Sequence, residues 1–378
     1  MAGNSSLSGS ILTSNGWVRG HVVVSGDRIT AIDGTALRPG EMPTAPFILP
    51  GFIDLHVHGG GGSDCLEGEE ATRRMVRFHA RNGTVAMLPT TSTAPVEITE
   101  EALRGITAVR ERQETQGAVV LGIHLEGPFI SAQRLGAQAA TPLEGDPVLT
   151  EGWASTYPIR VATVAPEIPG GLDVVRVLAK YGCRTQVGHS IASDEELRAG
   201  FSAGCTGFTH LFNAMTPVDH KVSGIAAYAM AYGTYAEIVS DLRHVHPTVM
   251  RAAYRAIPNL YAITDAVAVA GLEDGEHLTR GGRRTVVKSG TDVVLKSSPS
   301  TRAGSGITMI DAFRNLVSIG IALDVVSAMT STRAADYLGV VDLGRIQPGF
   351  KASIVRLDHE LRLEGVWVEG QSIELAAA

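Results

Sequence analysis

The sequence has 378 residues, of which 44% are hydrophobic and 19% are charged, and its formal net charge is -7. This length accommodates one large domain with a small appendage, and the composition is typical of a compact globular protein, which excludes a disordered or collagen-like chain. The sequence contains no run of basic residues, which argues against nucleic acid and against an anionic membrane as partners, because both bind clustered Lys and Arg. Any anionic ligand must therefore be bound by local groups.

The N-terminal segment and the cysteines indicate the compartment. Residues 1–14 are polar and rich in Ser and Gly, unlike a signal peptide, and no apolar run reaches the ~18 residues of a membrane span. The three cysteines, Cys65, Cys183 and Cys205, are odd in number and lack C-x-x-C spacing. This pattern argues against a disulfide framework and against a thiolate zinc site. We therefore expect a soluble cytoplasmic protein.

Both ends of the chain favour short β-strands. The N-terminal strands are predicted at residues 17–25 and 28–32, and strands return near the C-terminus at residues 352–357 and 365–368. A segment rich in Pro and Gly, residues 38–46, separates the first strands from a different pattern. We predict a small β-sandwich domain built from both termini, residues 1–50 and 345–378.

Between the two ends, short apolar strands alternate with amphipathic helical segments. The predicted strands are residues 85–88, 119–126, 161–164, 185–189, 207–210, 237–240 and 261–265. The clearest predicted helices are residues 69–82, 172–181 and 193–203. This alternation indicates repeated β-α units, and eight such units close a TIM barrel. We predict an α/β fold in which residues 51–344 form a TIM-like (β/α)8 barrel.

The first strand of this region carries two histidines. Residues 52–58 alternate apolar and polar, so Asp54, His56 and His58 share one face of a strand. Two imidazoles on one strand face can chelate a metal ion. Many strands also contain histidines that only hydrogen-bond internally, so this pair does not define a site on its own.

Four later segments end in a residue that can bind a metal ion or move a proton. These residues are Glu126, His189, His210 and Asp265. The C-terminal ends of barrel strands face one pocket, so we expect these residues to converge with the histidine pair. Carboxylate and imidazole ligands suit Zn²⁺, Fe²⁺ or a similar divalent ion, and three protein ligands leave a position for a water whose pKa falls to ~7 on zinc. Asp265 is the candidate to accept a proton from that water and return it to a leaving amine.

The ordered motifs resemble the amidohydrolase superfamily and, within it, the N-acetylglucosamine-6-phosphate deacetylases. The matching segments are P-G-F-I-D-L-H-V-H (50–58), H-L-E-G-P-F (124–129), G-H-S (188–190), T-H-L-F-N-A-M (209–215), T-D-A (264–266) and A-G-S (303–305). They run in order over nearly the whole chain. The resemblance implies hydrolysis of the acetamide of N-acetylglucosamine 6-phosphate, or of a close N-acetylhexosamine phosphate, to the amino sugar phosphate and acetate.

The resemblance also implies a role for each matching residue. The principal divalent metal ion, with Zn²⁺ as the first choice, would be held by Glu126, His189 and His210. Asp265 would be the general acid and base. His56 and His58 would add ligands for a second ion, which some members hold and others lack.

Further residues are implied to contact the substrate. The backbone at Asn213 and Ala214 would contact the sugar phosphate. His244 matches a family histidine that reaches the substrate phosphate from the neighbouring subunit, which implies a homodimer. Arg302, in a loop expected to face the pocket, is an additional candidate for substrate contact.

Two positions depart from the family pattern. Gln138 stands where the family usually has a histidine that polarises the amide carbonyl, and an amide N–H donates without a charge. Lys221 replaces a phosphate-binding arginine and lacks its bidentate fork. The galactosamine epimer, an unphosphorylated substrate, or another N-acyl or cyclic amide therefore stay open as alternatives. A remoter alternative is a non-catalytic sugar-binding barrel, which would purify without stoichiometric metal.

Three features near these motifs have simpler explanations. We expect His79 to lie partly exposed on a helix and His124 to be a buried structural residue beside Glu126. Residues 130–147 form either a mobile lid over the site or a loose connection.

Overall fold

The structure is a computed structural model that describes residues 4–279 and 284–375. Its strands, numbered in chain order, are β1 (Asn4–Thr13), β2 (Gly16–Ser25), β3 (Arg28–Ala36), β4 (Phe47–Pro50), β5 (Phe52–Val57), β6 (Gly59–Gly60), β7 (Ser63–Asp64), β8 (Thr84–Pro89), β9 (Val119–Val120), β10 (Ile123–Glu126), β11 (Ile159–Val164), β12 (Arg184–Val187), β13 (Cys205–Phe208), β14 (Tyr235–Val239), β15 (Asn259–Ile263), β16 (Gly275–Thr279), β17 (Arg284–Ser289), β18 (Asp292–Leu295), β19 (Ser298–Ser305), β20 (Ile354–Leu357), β21 (Leu363–Val368) and β22 (Gln371–Ile373).

The helices are α1 (Glu69–Arg81), α2 (Val96–Arg112), α3 (Pro147–Thr156), α4 (Gly171–Lys180), α5 (Asp194–Ala203), α6 (Ile225–Tyr232), α7 (Pro247–Ala256), α8 (Met309–Ser318), α9 (Leu323–Ser327) and α10 (Arg333–Leu338). A short 3-10 helix at Cys65–Glu67 precedes α1, and a π-helical turn at Ala328–Thr332 joins α9 to α10. Within the described ranges, no helix is both long enough and apolar enough to cross a membrane.

The centre of the molecule is a curled parallel sheet. Strands β10 to β15 form a six-stranded sheet in chain order, and β5, β8 and β9 form a three-stranded sheet. Two parallel bridges connect these sheets, one between Thr90 and His124 and one between Val57 and Ala266. Helix α2 follows β8, and helices α3 to α7 follow β10 to β14 in turn. The prediction of an α/β fold with a parallel sheet is confirmed in this form.

Burial on both faces explains the apolar composition of the central strands. Every residue of β5, β8 and β10 is buried. Strands covered on both faces usually carry nearly continuous apolar runs, as β8 does, whereas β5 and β10 alternate apolar residues with buried polar ones. A polar side chain within such a strand needs a partner inside the protein, and several of them converge on the site described below.

Helix α1 packs on the sheet and corrects one expectation. His79 is buried rather than partly exposed, and its Nε2–H donates to the carbonyl oxygen of Gly59 at 2.9 Å. It lies four residues after the buried Met75, so both side chains face the sheet. Burial lowers the pKa of His79 to about 4, which keeps the ring neutral. The expectation was wrong because a histidine with one internal hydrogen bond fits an apolar face.

Both ends of the chain contribute to one seven-stranded sheet, in the order β22-β21-β20-β4-β1-β2-β3. Strand β4 pairs with β1 in parallel and with β20 in antiparallel orientation. A separate apolar core lies against this sheet, formed by Leu7, Ile11, Val22, Val24, Ile29, Ile48, Ile346, Ala352 and Ile354. Strand β1 was not expected from its Ser-rich sequence, yet it pairs with β2 over its whole length.

A four-stranded antiparallel sheet, β16 to β19, is inserted between β15 and α8. It was not predicted from the sequence. A small apolar cluster joins it to the loop after β15 through Val267, Val269, Val286, Val293 and Ala303. A bridge between Ala266 and Ser305 ties the end of β19 to the same loop. Arg302 was expected in a loop but lies in β19, and the insertion places it beside the C-terminal ends of the central strands.

Candidate active site

The C-terminal ends of the parallel strands converge on one pocket of about 300 Å³. The predicted site residues that line it are His58, Glu126, Gln138, His189, His210, Asn213, Ala214, His244, Asp265 and Arg302. His56 lies directly beneath, with its Nε2 at 3.3 Å from Nε2 of His58. Lys221 lies outside the pocket. The convergence follows from the topology, because neighbouring parallel strands end at the same edge of the sheet.

Glu126, His189 and His210 form the tightest group. Oε1 of Glu126 is 3.2 Å from Nε2 of His189 and 3.0 Å from Nε2 of His210, and the two nitrogens are 3.1 Å apart. All three side chains are buried. An ion about 2.0–2.2 Å from each atom fits over a triangle of this size. The group therefore has the donor types and the spacing of a divalent metal site.

The hydrogen bonds of the imidazoles fix which nitrogen faces the cluster. The Nδ1 atoms lie at hydrogen-bond distance from acceptors: 2.7 Å from the Arg134 carbonyl for His189, 3.0 Å from the Thr90 carbonyl for His58, and 2.9 Å from a Glu237 carboxylate oxygen for His56. Because these acceptors carry no proton, each Nδ1–H donates, and in a neutral ring the Nε2 lone pair then faces the cluster. Several lone pairs and carboxylate oxygens thus point at one space.

The electrostatics of this space favour a positive charge. Burial lowers the pKa of His56, but Glu126 and Glu237 outweigh burial and raise that pKa to about 10. The pKa of Glu126 itself is held well below its usual value by His56, His189 and His210, in spite of burial. The same negative charges would stabilise a divalent cation, so the donor set fits a metal ion.

Asp265 lies at the edge of this cluster, in a second group with His56 and His58. Its Oδ1 is 3.2 Å from Nε2 of His58 and 3.6 Å from Nε2 of His56. Burial raises the pKa of Asp265, but the hydrogen bond with His58 and the nearby charge of His56 lower it to about 2. Asp265 is therefore a carboxylate at neutral pH, next to both groups of possible metal ligands.

Three of these residues have left-handed backbone conformations. The φ angles are 48° at His189, 27° at His210 and 49° at Asp265. Such conformations cost of order 1–3 kcal/mol each for residues other than glycine and are kept only where other contacts hold them. At Asp265, the backbone N–H donates to the carbonyl oxygen of His56 at 2.9 Å, and the backbone carbonyl accepts from the N–H of Ser305 at 2.8 Å. These bonds hold the carboxylate on the side of the histidine pair.

The end of β19 requires a glycine where it passes Asp265. Gly304 has φ 73°, and a Cβ there would lie 2.6 Å from the carbonyl oxygen of Asp265. Only a residue without a side chain allows the strand to pass so close. The A-G-S motif therefore has a structural reason, since it supports the bond from Ser305 to Asp265.

Glu237 is a buried carboxylate that sequence reasoning did not assign to the site. It accepts from Nδ1 of His56 at 2.9 Å, from the backbone N–H of His210 at 3.3 Å and from the Tyr261 hydroxyl at 3.2 Å. It orients one histidine of each group. The available signal was a lone acidic residue in the otherwise apolar β14, which points to an internal partner.

Asp54 and His124 support the site from beneath. Asp54 accepts from the Thr264 hydroxyl at 2.5 Å and so ties the strand of the histidine pair to the strand that ends at Asp265. His124 is buried, as expected, and its Nδ1–H donates to the Leu55 carbonyl at 2.9 Å. Both nitrogens of His124 are engaged, because Nε2 is 2.8 Å from the Thr163 hydroxyl. His124 therefore has a structural role.

The basic side chains of the predicted site occupy three different surroundings. His244 lines the pocket of its own chain, and its Nδ1 is 2.7 Å from a carboxylate oxygen of Asp241. Arg302 lines the pocket and donates from Nε to Asp292 at 2.9 Å. Lys221 is exposed, and its backbone N–H donates to the Asp219 carboxylate at 2.7 Å. Among the described residues that line the pocket, Arg302 is the only Arg or Lys.

Buried imidazole and carboxylate ligands at the ends of parallel strands, with an ionised aspartate beside them, define a metal-dependent hydrolase. The amidohydrolase family model matches residues 47–373. The chain belongs to the amidohydrolase family, and the resemblance drawn from its motifs is confirmed.

Individual relatives are similar over almost their whole length. The N-acetylgalactosamine-6-phosphate deacetylase of Escherichia coli O157:H7 is 33% identical, over 96% of this chain and 97% of that protein. The N-acetylglucosamine-6-phosphate deacetylase of Vibrio furnissii is 31% identical, over 89% of this chain and 85% of that protein. Among solved structures, the N-acetyl-D-glucosamine-6-phosphate deacetylase of Mycobacterium smegmatis, in complex with N-acetyl-D-glucosamine-6-phosphate, has a TM-score of 0.89 at 29% identity and covers 98% of this chain and 100% of that one.

Proposed function

We propose that this chain hydrolyses the acetamide of an N-acetylhexosamine 6-phosphate and releases acetate and the amino sugar phosphate. The observation that carries the proposal is the group of Glu126, His189 and His210 in one pocket with the ionised Asp265. Relatives that are about a third identical to this chain are named for this reaction on the galactosamine and the glucosamine epimers. We propose the glucosamine epimer first and the galactosamine epimer as the close alternative.

Glu126, His189 and His210 would hold the principal metal ion, and His56, His58 and Asp265 are placed to take part in a second site. We propose Zn²⁺, since imidazole and carboxylate ligands without thiolate suit it, with Fe²⁺ as the alternative. Such an ion supplies a water of lowered pKa and an electrophile for the amide carbonyl.

Asp265 then performs the proton transfers. As a carboxylate it accepts the proton of the attacking water, and it returns that proton to the amine nitrogen as the C–N bond breaks. His58 is 3.2 Å from Oδ1 of Asp265 and holds the carboxylate in place. Asp54 and Thr264 hold the strand end that carries it.

The anionic end of the substrate would meet Arg302 and His244, while Asn213 and Ala214 line the same pocket. Asp292 accepts from Nε of Arg302, and this guanidinium makes no other hydrogen bond or ion pair within the described part of the chain. Its remaining N–H groups are therefore available to a phosphate, which guanidinium binds in bidentate fashion.

A substrate panel tests the function and the role of Arg302 together. We expect kcat/KM for phosphorylated N-acetylhexosamines to exceed that for the free sugars and for an N-acyl amino acid by roughly 100-fold. We also expect Arg302→Ala to raise KM for the phosphorylated sugars about 10- to 100-fold, because a charged hydrogen bond contributes about 1.5–3 kcal/mol. Arg176→Ala, which removes a surface arginine paired with Asp173, is the matched control and should leave KM unchanged.

A second candidate function is hydrolysis of another N-acyl or cyclic amide. The observation that favours it is the position of Lys221 outside the pocket, which leaves one Arg and no Lys among the described lining residues. A clear preference for an unphosphorylated substrate in the panel would establish this alternative and overturn the first.

We also infer the complete architecture. Eight parallel strands, β5, β8 and β10 to β15, would close as a (β/α)8 barrel within residues 51–344, which the bridge between Val57 and Ala266 supports. Residues 1–50 and 345–378 would form the small terminal β-domain, which the pairing of β4 with β20 supports. Residues 1–3, 280–283 and 376–378 of these ranges lie outside the described residues. A crystal structure in which β5 and β15 are not neighbours would contradict the barrel.

We propose a homodimer with an interface near the loop of residues 216–223. An interface here would bury Val218, Val222 and Tyr232, which lie in and after this loop and are exposed by 53%, 70% and 72%. His244 lines the pocket of its own chain, and the contact with a neighbouring site that the family resemblance implies for it stays a prediction. Lys221, on the exposed loop, is better placed to face a second copy. Light scattering should give a dimer for the wild type and dissociation for Val222→Asp, and a monomeric wild type would contradict the proposal.

A further inference from the structure

Gln138 makes two hydrogen bonds that fix the orientation of its amide. Its Oε1 accepts from the backbone N–H of Thr93 at 2.7 Å, and its Nε2 donates to Oε2 of Glu126. A backbone N–H can only donate, so the amide oxygen faces Thr93 and the NH₂ group faces Glu126. The side chain is 8% exposed. Its amide is therefore held between the backbone and the carboxylate, with at most one N–H left for a ligand.

The hydrogen bond from Gln138 gives the two carboxylate oxygens of Glu126 different partners. Oε1 lies 3.2 and 3.0 Å from the Nε2 atoms of His189 and His210. Oε2 is held by Gln138, and it is also 3.4 Å from Nε2 of His58. Without the amide, Oε2 is free to turn toward the histidines as well. A carboxylate that presents both oxygens occupies the position that a catalytic metal site keeps open.

The same loop contacts a second residue of the cluster. The Arg134 carbonyl accepts from Nδ1–H of His189 at 2.7 Å, and the backbone N–H of Gln138 donates to Leu135 at 2.8 Å. The segment 131–138 therefore holds two of the three possible metal ligands in this arrangement, and it is not a loose connection.

We infer that Gln138 is a positioning residue that fixes the Glu126 carboxylate, so that only Oε1 is presented to His189 and His210 and one position at the site stays open. The inference rests on the proposed metal-dependent function. It differs from the expectation that Gln138 serves mainly to polarise the substrate carbonyl. Groups that orient metal ligands typically contribute 10- to 100-fold to metal affinity or activity.

The test compares Gln138→Leu with Gln133→Leu, which alters an exposed glutamine in the same loop. For Gln138→Leu we expect kcat to fall about 10- to 100-fold while KM changes less than about 3-fold. The visible spectrum of the Co²⁺-substituted protein should lose intensity, because a further carboxylate oxygen raises the coordination number. Gln133→Leu should match the wild type in both measurements.

Gln138→Glu provides a second variant of the same shape if Gln138→Leu is unstable in thermal unfolding. It keeps an acceptor for Thr93 but replaces the donor that faces Glu126, so the spectral change should appear here too. An unchanged Co²⁺ spectrum with a raised KM and a normal kcat would overturn the inference, since Gln138 would then act only on the substrate. An altered spectrum without deacetylation of any sugar by the wild type would support the inference while overturning the proposed reaction.

Discussion

Replacing Asp265 with asparagine should lower kcat by about 10²- to 10⁴-fold, the range usual for loss of a general acid or base. The asparagine keeps the shape of the side chain but cannot accept or return a proton. Glu126, His189 and His210 are unchanged, so KM and the principal metal ion should change little. Steady-state kinetics and elemental analysis of the same preparation measure both quantities.

The protonation state of Asp265 explains why the effect should be large. Although burial favours the neutral acid, the hydrogen bond with His58 and the charge of His56 hold the pKa of Asp265 at about 2. Asp265 is therefore ionised over the whole neutral range, as a proton acceptor must be. Asp173→Asn, which changes an exposed aspartate on α4, is the control. Full activity of Asp265→Asn with metal bound would exclude the acid and base role.

Replacing Glu126 with glutamine should remove the principal metal ion. The substitution deletes the negative charge that faces His189 and His210, and it also turns the contact with Gln138 into one between two amides. Elemental analysis should show loss of metal relative to the wild type, and deacetylation should fall to the background. The exposed Glu364, which pairs with Arg356, offers a matched glutamine substitution that should retain the metal.

Stability gives an independent readout of the same change. A ligand at 1,000 times its Kd stabilises the folded state by about 4.1 kcal/mol. Chelator should therefore lower the free energy of unfolding of the wild type by several kcal/mol in urea titrations, and it should have almost no effect on Glu126→Gln. Metal binding by this variant with wild-type affinity would show that Glu126 is not a ligand.

The central elements could be predicted because local pattern and tertiary role agree in them. Helix α1 was expected at residues 69–82 and lies at Glu69–Arg81, since one apolar face recurs with helical spacing. The histidine pair and the strand-terminal Glu126, His189, His210 and Asp265 were found for a similar reason. Strand alternation and strand ends are local features, and the parallel topology brings them together.

Other elements depend on distant partners and leave little local signal. Strand β1 is rich in Ser and has few of the β-branched and aromatic residues that favour strands, so its order depends on its pairing with β2. In the sequence, Glu237 is a single acidic residue in a short strand. Its partner His56, whose Nδ1 lies 2.9 Å from a carboxylate oxygen of Glu237, belongs to a strand far away in sequence. The hydrogen bonds of His79 with Gly59 and of Gln138 with Thr93 likewise join residues that are distant in sequence.

The left-handed backbone at His189, His210 and Asp265 sets a condition for anyone who would transplant this chemistry to another scaffold. Grafting the side chains alone onto regular strand ends would aim them along extended backbone, away from their common centre. A designed host needs three strand ends that already bend into this conformation, with donors and acceptors that hold each bend. Selection of scaffolds by φ angle should therefore precede selection by side-chain fit.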